Sequence, residues 1–117
     1  MIATYKDLDV YKGGYKLSLE IYKETEKYPY YEIYGLTSQI RRAAVSIPLN
    51  IAEGYGRRSK EEFKRFLKIS LGSLYEVQTL LALSKDLKYI KTDYYDRITK
   101  EYDLLGKRIF KLIEVWK

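Results

Sequence analysis

Apolar positions recur with a steady beat along much of the chain, most clearly near its carboxyl end. Tyr95, Ile98, Tyr102, Leu105, Ile109, Leu112 and Trp116 are spaced 3, 4, 3, 4, 3 and 4, which is one seam of a helix packed at a shallow crossing angle. Thr92 or Asp93 is placed to cap its start, because a short side-chain oxygen there accepts from the orphan amides of the first turn, and the helix is expected over about 92–116. Upstream, SKEE from Ser59 reads as a capping box in which Ser59 and Glu62 satisfy each other's backbone amides. Phe63, Phe66, Leu67, Ser70, Leu74, Val77 and Leu81 then follow on one face, predicting a helix over about 59–86.

A further helix is expected over about 7–27, with Leu8, Tyr11, Tyr15, Ser18 and Tyr22 on one side and Val10, Leu17 and Ile21 beside them. Gly13 and Gly14 each cost roughly 1 kcal/mol relative to alanine inside a helix, so a neighbouring helix must approach closely there to offset them. Pro29 marks the break that follows, since the residue before a proline resists helical angles. The last helix to place runs from about 36 to 55 and is expected to end at Gly54 and Gly56. Pro48 deletes one of its backbone hydrogen bonds.

This helix is apolar around an unusual share of its circumference. Ile40, Ala44, Ile47 and Ile51 make one row, and Ala43, Val45, Leu49 and Ala52 fall largely outside it. A bundle helix ordinarily buries one stripe, so the second set predicts a second buried contact, a partner subunit or an unusually central place in the fold. Arg42, Ser46, Asn50, Glu53 and Arg57 share a polar stripe at 4, 4, 3 and 4 spacing. It reads either as a solvated strip with a Glu53–Arg57 pair, or as a polar seam inside an assembly with its guanidinium groups paired or facing phosphate. Four helices with short connections and no linker or repeat make a single domain over 1–117, an all-α antiparallel up-down-up-down bundle that associates with copies of itself.

Composition narrows the chemistry. The 117 residues include no cysteine and no histidine, which excludes disulfides, thiolate nucleophiles, imidazole triads and the histidine-bearing di-metal sites of helical bundles. Neither a metal nor another cofactor is expected. Carboxylate pairs such as Glu20 with Glu24 and Asp93 with Asp96 read as exposed-face or helix-start charge, so an enzyme is not expected. No apolar run is long enough to cross a bilayer, and the opening MIATYKDLDV has no apolar core of a secretion signal; a cytoplasmic protein is expected. The net charge of +6 is local: Arg41 to Lys68 hold eight basic and three acidic residues, a net of +5, against 14 and 13 in the rest. Arg57, Arg58, Lys60, Lys64 and Lys68, with Arg42 if its stripe is accessible, therefore form a candidate patch for RNA or DNA, the alternative being a solubility face. Five tyrosines, Tyr11, Tyr15, Tyr22, Tyr95 and Tyr102, fall at core spacing. Tyr28, Tyr30, Tyr31 and Tyr34 cluster in the first connection, where packing is favoured over base stacking because only Lys27 supplies a nearby cation.

The stretch GLTSQIRRAAVSIPLNIAEGYGRRSKEEFKRFLKISLGSLYEV, with the opening YKDLDVY, resembles the small four-helix-bundle proteins encoded within intervening sequences of large-subunit ribosomal RNA genes. The matching positions are Gln39, Arg41, Arg42, Ala43, Ser46, Ile47, Asn50, Ile51, Ala52, Glu53 and Gly54, then Ser59, Phe63, Phe66, Leu67, Gly72, Ser73 and Glu76. The resemblance implies a homopentameric four-helix bundle with a basic surface that contacts nucleic acid. That family also resembles the accessory proteins of diversity-generating retroelements, basic pentameric bundles that bind a reverse transcriptase and nucleic acid. Two functions follow as expectations: a non-enzymatic oligomer that binds nucleic acid, or a scaffold that docks a protein such as a reverse transcriptase.

Overall fold

The computed structural model describes residues 4–115 and places them in four helices: α1 (Asp9–Thr25), α2 (Leu36–Gly56), α3 (Lys60–Asp86) and α4 (Thr92–Val115). Single 3-10 turns precede α1 at Tyr5–Asp7 and join α1 to α2 at Tyr30–Glu32. Each helix packs on the next and α4 returns to α1, giving an all-α up-down-up-down bundle of 42 × 24 × 20 Å. The α2–α3 seam is the most extensive and the α1–α4 seam the least. All seven apolar-face positions anticipated for α3, from Phe63 to Leu81, are buried. In α4, Ile98, Tyr102, Leu105 and Ile109 are buried, Tyr95 and Leu112 are half-buried, and Trp116 lies outside the described residues.

The helix ends differ from the sequence reading in informative ways. Ser59 caps α3, its Oγ accepting from the Glu62 amide at 3.3 Å. The reciprocal half of the box is missing because Arg65 takes the Glu62 carboxylate, with Nε and Nη2 donating at 2.9 and 3.1 Å. Neither Thr92 nor Asp93 is the cap of α4. Both are already helical, the Lys91 carbonyl accepts from the Tyr95 amide at 3.0 Å, and Asp93 accepts from the adjacent Tyr94 amide. Helix α2 ends at Gly56, as its glycines suggest, but neither glycine takes the left-handed conformation of a helix stop; the chain turns at Arg58, at φ 56°.

Gly54 serves packing instead. A Cβ there would lie 2.6 Å from the Phe66 Cβ, so the last turn of α2 meets α3 at a distance only glycine permits. Gly14 does the same for α1 against α2, where a Cβ would sit 3.1 Å from Ile47 Cγ2 and 3.3 Å from Pro48 Cδ. Pro48 has no amide to give the Ala44 carbonyl four residues back. Ser18 of α1 fills that gap: its Oγ lies 3.0 Å from the Ala44 oxygen and 2.8 Å from the Gly14 oxygen, sharing one proton between them. From the opposite side, Ser70 Oγ of α3 donates to the Ile47 carbonyl at 2.9 Å. Small residues on both neighbours thus close in on the proline: Ser18 supplies the donor that Pro48 withholds from Ala44, and Ser70 ties the adjacent carbonyl to α3.

Two tyrosine expectations change. Tyr15 and Tyr22 are exposed, because α1 turns Val10, Gly14, Leu17, Ser18, Ile21 and Thr25 toward its neighbours instead. In the first connection only Tyr28 packs inward, its hydroxyl hydrogen-bonded to Ser84 Oγ at 2.7 Å, while Tyr30, Tyr31 and Tyr34 face solvent. Tyr102 is fully buried, and its hydroxyl finds no partner among the described residues.

Candidate nucleic-acid interface

Up-down-up-down topology brings the α2–α3 turn, the start of α1 and the end of α4 to one end of the bundle. The contacts of Gly14 with Pro48, Gly13 with Leu105 and Gly106 with Leu74 mark its middle. On the side of the α2–α3 turn, residues 4–14, 48–72 and 105–115 carry eleven basic and six acidic side chains, a net of +5. The other half, residues 15–47 and 73–104, carries ten of each. The charge excess seen in one stretch of sequence is therefore an excess at one pole, to which α4 adds Lys107, Arg108 and Lys111. Those three went unnoticed in sequence because the local charge of α4 is balanced by its acidic first half. Antiparallel topology is the signal that finds them.

Arg57 and Arg65 are held in place. Both guanidinium groups lie over the ring of Phe66, at 5.1 and 4.5 Å from its centroid. Arg57 Nε also donates to Glu53 at 3.0 Å, with Glu62 within 3.7 Å of Nη1. Arg65 holds the Glu62 carboxyl below the usual carboxylate range. Arg58, Lys64 and Lys68 make no ion pair among the described residues, and Arg58 is projected by its left-handed backbone. Lys60, Lys64 and Lys68 follow at 4-residue spacing on α3, so their side chains share one face and lead away from the turn.

The remaining candidate residues fall elsewhere. Arg42 is exposed on α2 but stands about 22 Å along the helix from Arg57, outside the cluster. Ser46 faces α3 within one chain, its Oγ 2.8 Å from Ser73 Oγ, and Asn50 folds back along its own helix, Nδ2 donating to the Ser46 oxygen and hydroxyl. The polar stripe thus splits into an exposed arginine, an α2–α3 seam and the Glu53–Arg57 pair. Of the four residues read as a contact between copies, Ala43 is a correction. It turns toward α3 and is already buried in its own subunit, at 6% exposure. Val45, Leu49 and Ala52 line a groove of about 280 Å³ between α1 and α2 together with Tyr11, Tyr15, Leu19 and Tyr22. Leu49 is 61% exposed there.

Among the described residues there is no group of three His, Cys, Asp or Glu that could hold a metal ion, and no helix long and apolar enough to cross a membrane.

The fold and the polar distribution of charge define a small basic four-helix bundle. The chain belongs to the 23S rRNA-intervening sequence protein family, whose model matches residues 6–111. It is similar in structure to a protein of unknown function from the S23 ribosomal protein family of Bacteroides thetaiotaomicron VPI-5482, solved at 1.70 Å. The TM-score is 0.79 at 25% identity, over 89% of this chain and 97% of that one. No curated protein matches the chain.

Proposed function

We propose that this protein is a non-enzymatic, homo-oligomeric bundle that binds RNA or DNA through Arg57, Arg58, Lys60, Lys64 and Lys68. The observation that supports this most directly is the one-sided charge, +5 in the half that holds the α2–α3 turn and zero in the other. Cations arranged this way neutralise phosphates without reading bases, so affinity depends on salt and only weakly on sequence. Self-association uses the α1–α2 groove, where Tyr15, Leu19, Tyr22 and Leu49 leave a connected apolar surface in water. Repetition of the basic pole around an oligomer converts a modest single-site affinity into avidity for a strand that spans several copies.

Titration of labelled RNA over a range of salt concentrations tests the binding. Affinity falls steeply with log salt, and replacing Lys60, Lys64 and Lys68 together with glutamate abolishes it; a triple variant that binds like the parent ends the proposal. Analytical ultracentrifugation tests the assembly. A species several times 13.9 kDa is expected at micromolar concentration, and a lone 13.9 kDa species overturns that part.

A further inference from the structure

The lysine row on α3 does not stop at Lys68. Lys60, Lys64, Lys68, Leu71 and Tyr75 continue at 4, 4, 3 and 4 spacing, so the basic face runs into the seam between α3 and α4. There a groove of about 300 Å³ is lined by Tyr75, Gln78, Asp103, Lys107 and Phe110. Two of these are aromatic and bare: Tyr75 is 57% exposed and Phe110 56%. Neither takes part in a ring pair or in a hydrogen bond of its side chain among the described residues, and each leaves about half of its surface to solvent. By helical rise, Lys68 stands about 10 Å and Lys64 about 16 Å from Tyr75 along α3. Lys107 adds a cation from α4, one turn before Phe110. Asp103, held by Gln78 Nε2 at 2.6 Å, lines the part of the groove farthest from the basic pole.

Lysines alone suit any polyanion, duplex or single strand. Bare aromatic rings between them suit only a strand whose bases are unpaired, because a duplex keeps its base faces stacked inside. From this we infer that the α3–α4 groove takes single-stranded nucleic acid, its phosphates following Lys64, Lys68 and Lys107 and its bases stacking on Tyr75 and Phe110. The inference rests on the nucleic-acid reading above and narrows it to one substrate class.

Labelled 15-nucleotide oligouridylate and a blunt 15-base-pair RNA duplex, titrated against the full chain, are the two probes. The parent protein binds the single strand at least 10-fold tighter. Tyr75→Ala and Phe110→Ala each weaken single-strand binding by about 10-fold, leaving the duplex affinity and the salt slope unchanged, since no phosphate contact is lost. Tyr75→Phe and Phe110→Tyr keep the ring and retain affinity. If both alanine variants bind the single strand within twofold of the parent while the triple lysine variant still loses binding, the stacking inference falls and the electrostatic reading stands. If the parent binds neither probe, both fall. If the alanine variants change the sedimentation coefficient and not the affinity, the groove is a contact between copies and the inference is overturned.

Discussion

Arg58 holds a backbone conformation that an L-residue adopts at a cost of roughly 1 kcal/mol and glycine adopts freely. A residue kept where another would be more stable points to a role for its side chain. Arg58→Gly is accordingly expected to raise stability by about 0.5–1 kcal/mol, read as a higher urea midpoint, and to weaken RNA binding in the same preparation. A variant that is more stable and binds unchanged removes Arg58 from the interface. Lys88, at φ 66° after α3, holds the same conformation at the neutral end of the bundle, so Lys88→Gly serves as the comparison with stability gained and binding retained.

At the level of whole helices, Pro48 and its flanking serines act as a unit. Ser18→Ala removes the hydroxyl donor of the buried Ala44 carbonyl and is expected to cost about 1–3 kcal/mol in urea unfolding. Restoring an amide at position 48 with Pro48→Ala should shrink that cost, and a double-mutant cycle without coupling argues against the pairing. Periodicity disclosed the four helices because burial follows the 3.6-residue repeat directly, and the glycine pair at 13 and 14 did require a close neighbour, as its contacts with Leu105, Ile47 and Pro48 show. Periodicity was silent on rotation. Tyr15 and Tyr22 share their period with Ser18, and the close fit of Gly14 on Pro48, with Leu17 and Ile21 buried beside it, sets the rotation that leaves the tyrosines out. Cap motifs mislead where a side chain has a better partner, as Glu62 does in Arg65. The groove residues Lys107 and Phe110 were beyond reach because their meaning depends on α4 lying beside Tyr75, a fact of tertiary adjacency and not of any local spacing.

For the molecule as a whole, the lack of histidine and cysteine leaves no side chain with an ordinary titration near neutrality. Arg65 lowers the Glu62 carboxyl, so its contribution is present above pH 4.5, the ordinary value, and fades as pH falls through the depressed one. Burial raises the phenols of Tyr28 and Tyr102, so their neutral forms favour the fold below pH 10 and that support is lost at higher pH, where the unfolded chain ionises first. Thermal melts between about pH 5.5 and 9 should therefore be level, with losses on both flanks. A midpoint that moves steeply across neutrality contradicts this account.

With its surplus positive charge gathered toward one tip of a rod 42 Å long, the protein is a permanent electric dipole. In the field of a polyanion such a body experiences torque before it experiences touch, and swings until the Arg58 tip leads. Encounters are then pre-aimed, so productive collisions outnumber random ones most strongly in dilute buffer, where screening is weakest and the torque acts over the longest range.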